Sequence, residues 1–249
     1  MRSSIFLINF KSITGQCVTI SSATQASGNL SQTPTNIPWY TLKTVHMSSY
    51  PISHWSVSSL NLFNSCRWCW HHKYITKKIP DVTHEFFEFG KKYHKEVNNY
   101  HIRSDYDKDL IAPYTQRYPQ DYRQKSEVKF RTLLPGIDLP ILGFVDGITS
   151  IGICDLKTGN TKPPTTNNPQ VILYSKVYHI SRKKWPVFEF NHVNKKGVVK
   201  HLVCQSNEKE YKQLREKKIL PFLKQIKDGN YDMDGVRYAT HMFGGCPFS

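Results

Sequence analysis

Ile141-Leu-Gly-Phe-Val-Asp146-Gly-Ile148, followed by Ile151-Gly-Ile-Cys-Asp155-Leu-Lys157-Thr-Gly159, is the stretch on which the fold turns. Both runs are short, rich in β-branched and aromatic residues, and separated by a tight Thr-Ser connection, which predicts two strands of a hairpin. Working outward, Glu127 to Leu134 alternates apolar and polar residues and predicts a strand before them, turned at Pro135-Gly136. Downstream, Val187–Val193 and Val198–Cys204 predict a second hairpin turned at Asn194–Gly197. Helical spacing appears at Val57, Leu60 and Phe63, over Thr83–Tyr100, over Pro169–Ser181, and from Asn207 onward, where Pro221 should kink or break the helix. The order helix, helix, three strands, helix, two strands, helix implies an α/β fold, a mixed central sheet flanked by helices.

The same stretch carries the chemistry. Asp155 and Lys157 are two residues apart, so on a strand they face the same side. A register that places Asp146 opposite them brings two carboxylates and an ammonium together. Such a group suits phosphodiester hydrolysis. Mg²⁺ takes carboxylate and water oxygens, the ion acidifies a bound water, and a lysine beside it orients that water or stabilises charge on phosphorus. The three residues alone also fit a surface hairpin with a salt bridge. Upstream, His94 lies one turn after Gly90 on an aromatic-bearing helix. Gln170 and Tyr174 are i and i+4 and share a helix face, which suits either substrate positioning or amphipathic packing.

The chain has 249 residues and 34 Lys plus Arg against 19 Asp plus Glu, a net charge of +15. That balance favours a polyanionic partner, nucleic acid first. Arg182, Lys183, Lys184, Lys195, Lys196 and Lys200 gather around the later hairpin with Trp185 and several tyrosines, a composition suited to tracking phosphates and stacking bases. No run of 18 apolar residues predicts a membrane span. Six cysteines are too few for a disulfide scaffold and fit a reducing, intracellular compartment, cytoplasmic or mitochondrial. Residues 1–80 hold no Asp or Glu, and Ser21–Asn36 is nearly all small or polar. Residues 1–46 therefore read as a disordered basic, Ser/Thr-rich tail before a domain over 47–249. The tail suits a flexible arm, an acidic-poor targeting segment, or sequence upstream of a start at Met47.

In order along the chain, Gly90-x-x-x-His94, Gly143-x-x-Asp146, Asp155-x-Lys157-Thr and Gln170-x-x-x-Tyr174 resemble the motifs of the PD-(D/E)XK nucleases, in their RecB-like branch. The segment Ser56-x-Ser58-x-Leu60-x-x-Phe63-x-x-Cys66 resembles that branch's opening segment, and the likeness runs from about His54 to Phe248. The resemblance implies a restriction-endonuclease-like fold and a Mg²⁺- or Mn²⁺-dependent deoxyribonuclease. It further implies an exonuclease on single-stranded DNA or DNA ends, serving repair, recombination or replication. It makes Asp146, Asp155 and Lys157 catalytic and His94, Asp146 and Asp155 metal ligands. Gln170 and Tyr174 become substrate-positioning residues, and Glu127 a further candidate ligand, since an acidic residue occurs near that place in several such nucleases. A catalytically inactive nucleic-acid-binding protein of the same fold is the alternative. Some RecB-like nucleases hold an iron–sulfur cluster, but Cys66, Cys69 and Cys246 supply only three of the four thiolates it usually needs.

Overall fold

A computed structural model describes residues 49–78, 85–159, 167–194 and 199–231. The proposed tail, 1–46, and Cys246 lie outside the described residues, as do Lys195 and Lys196. The elements are α1 (Val57–Ser65), α2 (Arg67–Tyr74), α3 (Glu85–His101), α4 (Lys108–Thr115), β1 (Lys125–Thr132), β2 (Ile141–Ile148), β3 (Gly152–Thr158), α5 (Pro169–Arg182), β4 (Val187–Val193), β5 (Val199–Cys204), α6 (Glu208–Leu214) and α7 (Leu220–Lys227). A five-stranded mixed sheet runs β1-β2-β3-β4-β5, antiparallel at every step except β3–β4, which is parallel. The parallel step needs a crossover, and α5 supplies it. This is the mixed sheet flanked by helices that the element order implies.

Helices pack on both faces of the sheet, with different chemistry. On one face Val128 and Phe130 of β1, Ile153 of β3 and Phe188 and Phe190 of β4 pack with Leu60, Phe63, Val171, Leu173 and Phe222 from α1, α5 and α7. On the other, Tyr93 and Val97 of α3 and Ile111 and Tyr114 of α4 cover Leu156 and Val193. Two short helices of the structure are not expected from the sequence. Helix α2, Arg-Trp-Cys-Trp-His-His-Lys-Tyr, is started by the Cys66 Sγ, which accepts from the Cys69 N–H at 3.3 Å. Helix α4 contains Pro113 and is started by Asp107, whose Oδ1 accepts from Leu110 N–H at 3.0 Å. At the other end of the chain, Pro221 does not end the helical run. A π-helical turn over Arg215–Ile219 leads into α7, and Pro221 sits in its first turn, where a missing N–H needs no intrahelical partner.

The α3–α4 face holds a titrating group with a measurable signature. His101 Nε2 lies 2.9 Å from the Tyr114 hydroxyl and Nδ1 lies 2.9 Å from the Gln120 carbonyl. The matching tautomer is neutral, with Nδ1–H donating to Gln120 and Nε2 accepting from Tyr114. Burial drives the imidazole down to about 4, with Arg123 adding to the push against the Gln120 hydrogen bond. The unfolded chain protonates near the ordinary value of about 6.5, so between about 6.5 and 4 it binds the proton that the folded chain refuses. Stability is therefore expected to fall across that window by up to about 3 kcal/mol, with no further loss from this group below it. Urea unfolding at a series of pH values checks this, since His101→Phe should flatten that segment. Equal slopes for variant and parent would refute it.

Candidate active site

The β2–β3 ladder is short, and that brevity makes the site. Only Gly147↔Cys154 and Ile148↔Ile153 pair. The next step would set Asp146 against Asp155, but there the strands part. The Asp146 carboxylate fills the gap, and its Oδ2 accepts the Leu156 N–H at 2.7 Å. A side chain thus takes the place of a backbone acceptor in the ladder. Strand alternation slips at the same level. Val145 and Ile148, three residues apart, both border the α5 side of the sheet together with Val128 and Ile153. On β1 the slip falls at Glu127, which has φ of 50° between the paired positions Ser126↔Gly147 and Val128↔Val145. Left-handed backbone at a residue that is not Gly, Asn or Asp costs of order 1 kcal/mol and concentrates at functional places. Glu127 itself is exposed, at the strand position opposite Asp146.

Asp155 is nine-tenths or more buried, on the α5 side of β3. Gln170, in the first turn of α5, donates from Nε2 to Asp155 Oδ1 at 2.7 Å and accepts from Lys157 Nζ at 3.3 Å. Lys157 Nζ lies 2.6 Å from Asp155 Oδ2. The contact is an ion pair, and an ionised carboxylate oxygen has further lone pairs to offer. Helix α5 is fixed at this end by Asn168, whose Oδ1 accepts the Gln170 N–H at 2.8 Å, and by Pro169 in its first turn. His94, on α3, brings Nδ1 to 3.6 Å from Asp146 Oδ2.

The two carboxylates are driven apart. Burial pushes Asp155 well above the ordinary carboxylate range, and Asp146 adds to the push against the Lys157 charge. Burial also pushes Asp146 up, but His94, Arg123 and the Leu156 N–H outweigh it and hold that carboxyl below its ordinary value. Among the described residues, no three His, Cys, Asp or Glu side chains stand close enough together to hold a metal ion. Two carboxylates and water suffice for Mg²⁺, which keeps several waters. Buried Asp155 and the quarter-exposed Asp146 repel one another, and a divalent cation relieves such a donor pair.

The remaining expected residues fall in several places. Tyr174 is buried, edge-on to Phe130 at 5.0 Å between ring centroids, and hydrogen-bonded to the backbone of Phe144. It props β2 from beneath. Arg182, Lys183 and Lys184 lie at the far end of α5, about 18 Å along the helix from Gln170. The sheet agrees, since Gly152↔Val187 and Lys157↔His192 are opposite ends of one ladder. These three basic residues are therefore remote from the carboxylates. Lys200 is exposed and pairs with His192, level with Lys157. Cys66 and Cys69 are buried at the start of α2.

One group the sequence reading does not find is Arg123. Its buried guanidinium donates from Nη1 to the Asp146 carbonyl at 2.8 Å and lies over the Tyr114 ring, 6.0 Å from the centroid. Gly147 makes room for it, since a Cβ there would meet Arg123 Cδ and Cys154 Sγ at 2.6 Å. Arg123 precedes β1 in Arg-Tyr-Pro-Gln-Asp-Tyr-Arg, which has neither apolar period nor motif, so no local signal marks it.

No protein-family model matches the sequence, and no curated protein matches it. Among solved structures, the fold is similar to that of a protein from Eubacterium rectale described as "Putative exonuclease", with a TM-score of 0.52 and 13% sequence identity over 72% of this chain and 82% of that one. At that identity the likeness carries the architecture alone. No helix among the described residues is long and apolar enough to cross a membrane.

Proposed function

We propose that the chain is a metal-dependent deoxyribonuclease of the PD-(D/E)XK kind, in its RecB-like branch, cutting single strands or DNA ends as an exonuclease. The observation that carries the reading is the meeting of Asp146, Asp155 and Lys157 where β2 and β3 part. The shared architecture with the Eubacterium rectale protein and the +15 charge support it. Asp146, Asp155 and His94 would hold Mg²⁺ or Mn²⁺, with Glu127 as a further candidate ligand. A bound divalent ion supplies polarisation of the phosphoryl oxygen and a more acidic water. Lys157 orients that water or stabilises charge gathering on the phosphoryl oxygens. Gln170 holds the Asp155–Lys157 pair in place, and Arg123 fixes the backbone of Asp146 from behind.

End-labelled single- and double-stranded DNA, incubated with the full chain and Mg²⁺ or Mn²⁺, tests the reading. Cleavage is expected to require the ion and to fall at least about 10²-fold in Lys157→Ala. Cleavage that persists in both Asp155→Ala and Lys157→Ala removes the site assignment. A second reading, a nucleic-acid-binding protein without turnover, is favoured by one feature: Asp155 is turned onto Lys157 and Gln170 instead of joining His94 and Asp146. Binding with no cleavage under any divalent ion establishes it.

A further inference from the structure

One part of the sheet is left open beside this site. On β1, Val128 and Phe130 point into the core while Lys129 and Arg131 are exposed on the other face. Across the ladder, Lys129 pairs with Phe144 and Arg131 with Leu142. Phe144 is 57% exposed, and Lys129 Nζ lies 5.7 Å from its ring centroid. Arg131 Nη2 donates to the Ser53 carbonyl at 2.9 Å, which fixes its head group at the same face. Among the described residues, neither Lys129 nor Arg131 has a carboxylate in ion-pair contact. Their field is felt by His54, whose imidazole is held below its ordinary value by burial and then by Arg131 and Lys129.

A large exposed aromatic costs solubility unless something covers it. Two cations beside it select an anionic cover. Phe144 is two residues from Asp146 on one strand, about 6.6 Å along it. Base faces are buried within a duplex but available in a single strand, and a cationic groove with aromatic platforms is how unpaired strands are held. We propose that Phe144, Lys129 and Arg131 form a subsite for one unpaired nucleotide of a single strand, the base stacked on Phe144 and the flanking phosphates on Lys129 and Arg131, leading the next phosphodiester toward Asp146. The inference rests on the nuclease reading for its direction toward Asp146, and names that site's substrate as a single strand. Phe144 is exposed by function, and Tyr174 beneath keeps its backbone in place.

The test is fluorescence anisotropy with the full chain in EDTA, which separates binding from cleavage. The probes are a labelled oligothymidylate of about 12 nucleotides, within usual single-strand site sizes, and a blunt duplex of equal length. Phe144→Ala should weaken single-strand binding about 5- to 150-fold, the range of one lost base stack, with duplex binding changed less than about twofold. Phe144→Trp should restore it. Lys129→Ala and Arg131→Ala should each lower the slope of log affinity against log salt by about 0.7. Parent-like single-strand binding by Phe144→Ala overturns the proposal, as does equal weakening on duplex. So does sedimentation showing that Phe144 instead seats a second copy of the chain. If Phe144→Ala binds normally while Asp155→Ala abolishes cleavage, the subsite fails and the nuclease reading stands. Loss of single-strand binding in Phe144→Ala, with cleavage unaffected by Asp155→Ala, gives the reverse.

Discussion

Asp155→Asn is expected to abolish cleavage while leaving the protein as stable as the parent or more so. The two halves have one cause. The Asp155 carboxyl is buried and, even with Lys157 at 2.6 Å, is pushed above its ordinary value. A carboxyl whose folded value is raised favours folding when protonated. As pH rises from the ordinary carboxylate range through the raised value, the folded state must ionise it at a loss. At neutral pH that loss is on the order of 1–3 kcal/mol. Asparagine keeps the shape and can still accept from Gln170 Nε2, but it removes the buried charge. Lys157, about a third exposed, turns its ammonium to water. The melting temperature in chelator at neutral pH should therefore hold or rise by a few degrees, while activity drops at least about 10³-fold, because a ligand and the lysine's partner are lost together. Groups kept at a cost to stability are the mark of a working site. A variant that melts well below the parent and still cleaves would reverse the assignment of Asp155.

Much of this was legible in the sequence. The period-two runs placed β2 at its observed ends, and the Asp155-x-Lys157 spacing placed both side chains on one face. Gln170 was singled out through the family resemblance of Gln170-x-x-x-Tyr174, on a helix that begins at Pro169. β1 runs from Lys125, two residues earlier than its alternation suggests, because the slip at Glu127 breaks the alternation without ending the ladder. Tyr174 shares a face with Gln170, but one turn along the helix that face has already passed under the sheet, a change no periodicity records. Arg123 and the buried Glu189, which accepts from the Thr149 hydroxyl at 2.7 Å, are reached only through tertiary contacts between β2, β3 and β4. The basic residues at Arg182–Lys184 were legible as charge but not as position. Composition finds charge, but the direction of α5 decides which end of the sheet receives it.

Gly152→Ala should be the most damaging added methyl among the described glycines. Gly152 opens the parallel β3–β4 ladder, paired with Val187. A Cβ there would stand 2.0 Å from the Val187 carbonyl oxygen and 2.8 Å from its nitrogen. Both are backbone atoms, so no rotamer change relieves the contact, and β4 must move off β3. The connection before it is pinned as well. Gly152 N–H donates to Thr149 Oγ1 at 3.2 Å, the Thr149 N–H returns to the Gly152 carbonyl at 3.0 Å, and Val187 N–H reaches the Ile151 carbonyl at 3.3 Å. Displacing β4 breaks the last of these and loosens Phe188 and Phe190, fully buried in the main core. A loss of about 3–5 kcal/mol follows, in the range of severe core substitutions, or roughly 6–20 °C in melting temperature for a chain of this size. Asp155 is three residues along β3, so any folded fraction should also bind divalent ions less well. A Gly152→Ala protein that melts within about 2 °C of the parent would mean that β3 and β4 do not meet at this register, and with it the placement of Asp155 and Lys157 above the start of α5 would fall.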